Sequence, residues 1–241
     1  MKVTLLSYTP APELVIAGAA KLCYSSSDCE TLFENLDEEN SKMFVEMLTT
    51  MGHASPLEHA VFTFGIDGVS RACTHQLVRH RLASFNQKSQ RYVDENNFEF
   101  VEPDIIAISP VVNDLFYAAM KNAQNSYESI KDALMDIGYP EKVAQENARS
   151  VLPNACTSSI IVTMNVRELL HFFEVRTCNR AQDEIRAVAD EMLKLCYGVS
   201  HTLFANAGCP CIRCECPEGK MSCGRGYEKK QHIEDLKRQA G

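Results

Sequence analysis

The chain has 241 residues, is 45% hydrophobic and 23% charged, and carries a formal net charge of -8. That is long enough for one large domain or two small ones with a full core, and too acidic for a general nucleic-acid binder, which shows a basic domain or stripe. No apolar run approaches the ~20 residues that span a bilayer. The N-terminus turns polar too soon for a signal peptide, so a cytoplasmic protein with no membrane partner is expected.

Residues 12–24 read as a helix, with Pro12 suited to its first turn. Between Asp28 and Glu46 seven acids accompany one lysine, the pattern of a solvated loop and helix face. Within it, 38–51 reads as a helix because Phe44, Met47, Leu48 and Met51 fall at i, i+3, i+4 and i+7. Phe62, Phe64 and Ile66 then alternate with Val61, Thr63 and Gly65, a half-buried strand, and a new helix is expected from about Val69.

If that helix runs from Arg71 to Arg81, then Arg71, His75 and Arg79 share one face. Arg81 lies about 200° round from Arg79, so the two guanidinium groups suit two different anions or two sides of a layered site. The stretch Arg-His-Arg-Leu-Ala-Ser-Phe-Asn-Gln-Lys-Ser-Gln-Arg, residues 79–91, holds four Lys or Arg side chains and no acid. Ser84, Asn86 and Ser89 lie in what reads as a loop, short donors of the kind that complete a phosphate or base cradle. Guanidinium groups stay charged and offer a planar fork to phosphate oxygens.

Further along, 111–137 reads as one long helix. Phe116, Met120, Ala123, Tyr127, Ile130, Leu134 and Ile137 form a heptad-like seam, to be covered either within the monomer or by another subunit. Gly138, Tyr139 and Pro140 break it, and a helix from about 141 to 151 follows. Residues 156–165 are β-branched and strand-like. Asn165 with Glu168 resembles a capping box opening a helix over 166–177, and Asp183 starts another to about 199, with Ile185, Val188, Met192 and Cys196 on one face. The economical fold is α+β: helices packed on an antiparallel sheet in a single domain, residues 1–207, followed by a Cys-rich appendage, 208–241. No Gly-x-Gly-x-x-Gly follows a strand, so no Rossmann turn is expected.

Of eleven cysteines, five (Cys209, Cys211, Cys214, Cys216 and Cys223) crowd into the last part of the chain. Four thiolates drawn from these would suit tetrahedral zinc, although Cys-x2-Cys occurs only once, at Cys211 and Cys214. A redox-labile tail or an adventitious disulfide are the alternatives. The other six cysteines lie in segments of apolar periodicity and read as small buried or semi-buried thiols.

Residues 79–91 match Arg-His-Arg-x-x-Ser-x-Asn-x-x-Ser-x-Arg at every specified position, which resembles the signature of the flavin-dependent thymidylate synthases. Residues 53–64 (HASPLEHAVFTF), 149–153 (RSVLP), 165–176 (NVRELLHFFEVR) and 182–186 (QDEIR) resemble further blocks of that family, so the likeness covers roughly residues 1–205. It implies a homotetramer with sites shared between subunits that methylates dUMP to dTMP. The carbon comes from methylenetetrahydrofolate and the hydride from FAD reduced by NADPH. By matching positions, Gln76, Arg79, Gln87, Lys88, Ser89, Gln90, Arg91, Arg149 and Arg176 are implied on the dUMP side. Ser55, Arg79, His80, Arg81, Gln87, Asn165, Arg167 and His171 are implied on the FAD side. Gln87 stands where other members carry glutamate, and His171 where a different polar residue is common.

Arg176 matches the arginine that favours ionisation at uracil N3, since a fixed guanidinium beside a developing anion lowers the cost of forming it. Ser89 is read as a phosphate contact and not as a nucleophile, because no base is evident beside it. His53 either shapes the flavin or folate pocket or is structural. Two competing expectations are a nucleotide- or RNA-binding module using the 71–91 cations, and a flavoprotein of the same fold that has lost methylation.

Overall fold

The computed structural model describes residues 1–240. Its elements are β1 (Lys2–Tyr8), α1 (Pro12–Leu22), α2 (Cys29–Glu34), α3 (Glu38–Thr50), β2 (Val61–Ser70), α4 (Arg71–Leu77), β3 (Ala83–Gln87) and α5 (Asp104–Ala107). There follow α6 (Pro110–Asp136), α7 (Glu141–Ala148), β4 (Thr157–Asn165), α8 (Val166–Arg176), α9 (Asp183–Val199), α10 (His201–Phe204) and α11 (Gly226–Arg238). The sheet is antiparallel, in the order β1-β2-β4-β3, which gives the expected α+β class.

The long, strongly periodic helices fall where their apolar spacing puts them. Four departures have physical causes. The helix after β2 stops at Leu77, and Val78–Arg79 form a turn, so Arg79 and Arg81 are not on one helix. Residues 83–87 are an edge strand where a loop was expected; their polar side chains alternate in burial without the apolar content that marks a central strand. The other edge strand, β1, has no fully buried residue, and α11 buries only Lys229, Ile233 and Leu236. Such elements carry little periodicity to read. Within the acidic stretch, Asp28 and Asp37 are N-caps, each accepting from a backbone N–H three residues on, at 2.9 and 3.0 Å. Those hydrogen bonds hold both carboxyls below the usual range.

The chain forms two compact units from interleaved stretches. The first comprises residues 1–2, 66–79 and 86–160; the second comprises 3–65, 80–85 and 161–241. In the first, α6 packs against α7, and Phe98, Met120 and Cys156 form a core with Phe100, Phe116, Ala123 and Leu152 around it. The seam of α6 is thus covered within its own unit at Met120 and Tyr127, while Ile137 is exposed. Lys131 is buried beside Tyr127 and bonded to Asp94 at 3.0 and 3.2 Å. A different apolar row, Ile105, Ile108, Val111 and Leu115, is at least 68% exposed at each position.

The second unit is built on aromatic rings. Phe62 stacks on Tyr8 and meets Phe204 edge-on at 5.5 Å; Phe173 touches Phe204, and Phe172 touches Phe173. Ile185, Val188, Met192 and Cys196 of α9 are fully buried, as their spacing predicts. Each such side chain contributes about 1.5–3 kcal/mol by leaving water. The tail joins this unit at Gly208, where φ is +132° and an added Cβ would lie 2.8 Å from Ile212 Cδ1. Its helix α11 is held to α9 by Lys229 and His232, which both bond to Asp190, at 3.3 and 2.8 Å.

Candidate functional site

The fold divides residues 79–91 between its two units: Arg79 and 86–91 belong to the first, His80 to Phe85 to the second. In the first unit Arg71 Nη2 donates to the Lys88 carbonyl at 3.0 Å, tying the start of α4 to the end of β3. Gln87 Nε2 donates to Thr74 Oγ1 at 2.8 Å and to Ser158 Oγ at 3.2 Å. An amide does this as a donor; a glutamate there would have to accept from the same two hydroxyls. Gln87 is thereby anchored within its own unit.

Lys88 is exposed and its backbone N–H pairs with Ser159 of β4. Ser89 makes a turn in which its hydroxyl accepts from the Arg91 N–H at 3.2 Å. Among the described residues no histidine or carboxylate bonds to that hydroxyl, so nothing activates it as a nucleophile. Arg91 forms a bidentate pair with Glu146 at 2.9 and 3.0 Å, and Arg149 Nε donates to the Glu146 carbonyl. Gln76 sits on α4, half-buried, and Arg79 just beyond it, exposed. Gln90 Nε2 and Arg71 Nε are buried donors with no acceptor among the described residues. Desolvated donors without acceptors are costly, and an anion bound here would satisfy them. Glu95 is buried nearby; its carboxyl is pushed up by burial, against the pull of Lys88 and Arg71.

In the second unit the N-terminus of α8 and the stretch 80–85 carry the predicted residues. Asn165 caps α8, accepting from the Glu168 N–H at 2.8 Å. The second half of the capping box is spent elsewhere: the buried Glu168 carboxylate accepts from His80 Nδ1 at 3.0 Å. Arg176, one helix length away, donates from Nε to His80 Nε2 at 3.0 Å. His80 is thus a neutral imidazole with its proton on Nδ1, wedged edge-on against Phe172 at 4.9 Å. Burial pushes its pKa down, helped by Arg176 and opposed by Glu168. Arg167 pairs with Glu58 at 2.5 Å. His171 is exposed, its ring 5.9 Å from that of His80. Arg81, His53 and Ser55 are exposed too, Ser55 opening the 3-10 turn Ser55–His59. The guanidinium groups of Arg79 and Arg81 make no hydrogen bond or ion pair among the described residues.

Reading the sequence missed four acids: Glu58, Glu95, Glu146 and Glu168. Glu58, Glu146 and Glu168 lie well away from 79–91 in the chain, whereas Glu95 stands four residues beyond it, and the fold brings each to its cation. Glu168 alone had a local signal, its place at the third position of a helix.

Arg81, Ser55 and Arg167 all belong to the second unit, where Arg81 and Ser55 are exposed and Arg167 is paired with Glu58. Among its described residues the tail gathers no set of metal ligands. All eleven cysteines are free, and no group of three or more His, Cys, Asp or Glu is gathered for a metal among the described residues. Cys209 and Cys211 approach at 3.3 Å between sulfurs, but the 3-10 turns Pro210–Ile212 and Gly219–Met221 disperse the others. Burial pushes the Cys209 thiol up to about 12, which disfavours the thiolate a metal needs.

Residues 4–200 match the family model described as thymidylate synthase complementing protein. The chain is 47% identical over 239 residues to a flavin-dependent thymidylate synthase of Clostridium tetani, covering 96% of each chain. It is 47% identical over 238 residues to one of Geobacter sulfurreducens, covering 98% of this chain and 99% of that one. A third, from Pyrococcus abyssi, is 44% identical over 199 residues, or 80% and 78% of the two chains. The likeness to the second relative takes in nearly the whole chain, tail included, whereas the family model stops at residue 200. With its two sets of guanidinium donors and matches of this length, the chain belongs to the flavin-dependent thymidylate synthase family.

Proposed function

We propose that this protein converts dUMP to dTMP in the cytoplasm, taking the carbon from methylenetetrahydrofolate and the reducing hydride from FADH2, which NADPH regenerates from FAD. The observation that carries this reading is the pair of buried, acceptor-less donors on Arg71 and Gln90 within a set of cations and short polar donors. Such a set fits a nucleotide phosphate. Gln76, Arg79, Lys88, Ser89, Gln90, Arg91 and Arg149 would hold dUMP, with Glu146 fixing the last two arginines in place. Ser55, His80, Arg81, Asn165, Arg167 and His171 would hold FAD, with Arg79 and Gln87 beside it.

In the net reaction uracil C5 loses its proton and gains the one-carbon unit, which the hydride brings from the methylene to the methyl level. Arg176 lowers the cost of charge on the uracil ring, enriching C5 as a nucleophile. His80 holds that guanidinium through Nε, and Glu168 holds His80. The exposed row Ile105, Ile108, Val111 and Leu115 supports a homotetramer in which subunits share sites.

The visible spectrum of the purified protein, reconstituted with FAD and titrated with dUMP, tests the reading. A flavin spectrum that shifts saturably with dUMP is expected. Arg79→Ala should weaken dUMP binding while flavin is retained, and Arg176→Ala should keep flavin but lose most turnover. Absence of flavin uptake by the intact assembly would overturn the cofactor assignment, and near wild-type turnover of Arg176→Ala would remove that residue from the chemistry.

A further inference from the structure

A cavity of about 780 Å³ lies in the second unit where the ends of α9 and α10, the turn 210–212 and α11 meet. None of its lining residues belongs to either set of donors described above. Arg213, Lys230, Lys237 and Arg238 line it against a single carboxylate, Glu234. This is a second concentration of positive charge on a chain whose formal charge is -8.

Two of these cations are committed to place. Lys237 Nζ donates to the Ala205 carbonyl at 2.7 Å and lies 5.5 Å from the Tyr197 ring centroid. Arg213 donates to the carbonyls of Asn206 and Gly208. Neither joins an ion pair among the described residues, and they repel each other. Burial and the neighbouring Arg213 together pull the Lys237 pKa down to about 8, against the weaker pull of Glu234. The wall between them is aromatic: Tyr197 and His201 are stacked, with ring centroids 4.5 Å apart. The end of the tail approaches α9 closely at Gly198, where a Cβ would lie 3.1 Å from the Ala240 carbonyl oxygen.

Arg238 is paired with Asp235 and Glu234 offsets part of the rest, but cations in excess over carboxylates, two of them in no ion pair, are what an anion site looks like before it is filled. The volume lies within the range of small-ligand pockets and exceeds what a bare phosphate needs. A guanidinium beside an ammonium suits the adjacent oxygens of a diphosphate. We propose that this cavity binds a small diphosphate-bearing molecule, separate from substrate and flavin, with Arg213 and Lys237 at its centre. The aromatic wall leaves room for an organic group on the diphosphate.

The test is calorimetric titration of the full-length protein, loaded with FAD and saturated with dUMP so that those sites are blocked. Inorganic pyrophosphate and a nucleoside diphosphate are the two probes. Saturable binding of either supports the site, and their order of affinity tells whether the organic group adds to it. Lys237→Met, which keeps the apolar stem, and Arg213→Gln should each weaken binding at least tenfold, whereas Lys42→Ala, at a remote exposed ion pair, should not change it. A readout independent of any variant is proton uptake at pH 8, obtained by repeating the titration in buffers of different ionisation enthalpy. An anion beside Lys237 favours its charged form, so net proton uptake is expected with the nucleoside diphosphate, which is already ionised at this pH. No saturable heat from either probe, equal affinity in Lys237→Met, equal weakening in Lys42→Ala, or binding of the nucleoside diphosphate without proton uptake would overturn the proposal.

Discussion

His80 illustrates how one side chain can be set by its partners. Glu168 takes the Nδ1 proton and Arg176 donates to Nε2, so a single neutral tautomer satisfies both. Protonating Nε2 would put a second cation against the Arg176 guanidinium and remove its acceptor. Because the folded pKa lies below the ordinary value, the unfolded chain binds more protons as pH falls below about 6.5. Stability contributed by neutral His80 is therefore full at pH 7 and above and declines as pH drops through that value towards the folded pKa. The melting temperature of wild type should fall over this interval, and the fall should be visibly smaller in His80→Gln, whose side chain does not titrate. Glu168→Leu removes the charged acceptor and leaves Nδ1–H buried without a partner, at a cost of about 1–3 kcal/mol. Turnover should drop with it while flavin content is kept, measured as kcat beside the bound-flavin absorbance; unchanged kcat would show that His80 holds Arg176 without help.

At the scale of elements, α11 depends on one buried carboxylate. Lys229 is 4% exposed, and Asp190 neutralises it. Asp190→Ala leaves a buried charge unpaired, for which about 3–5 kcal/mol is the usual loss. The tail should then become the first site of proteolysis, read by mass spectrometry of the released fragment; protection equal to wild type would mean the apolar contacts of Ile233 and Leu236 suffice. This helix was not legible in the sequence, since one lysine and two aliphatic residues make a weak stripe on a polar segment. The same holds for β3, where Ser84, Asn86 and Gln87 are recruited to a sheet edge by β4. By contrast α3, α6, α8 and α9 were readable because apolar side chains recur there at helical spacing over several turns. The cations of 79–91 were legible as a group, but their partners were not: Glu146 is 55 residues from Arg91 and Glu168 is 88 from His80, so each meets its partner only in the folded chain.

For the whole molecule, the exposed apolar row on α5 and the start of α6 is the feature that a monomer leaves unexplained. Leu115 is 68% exposed and Ile108 79%, so a charge at either position costs a monomer almost nothing. If subunits associate through this row, Leu115→Glu should shift the sedimentation coefficient to smaller species and reduce turnover, with the far-ultraviolet dichroism unchanged. An unaltered sedimentation profile would place the subunit contacts elsewhere.

The interleaving of the two units also bears on how the protein is made. The first unit, apart from Met1 and Lys2, ends at Ile160, while the second needs residues from both ends of the chain. On the ribosome Phe62 and Phe64, which are buried completely in the finished protein, emerge long before the later helices, among them α10, whose Phe204 packs on Phe62. A nascent chain halted before these helices would present β2 with its aromatic face open, the kind of species that chaperones capture and that aggregates when they do not.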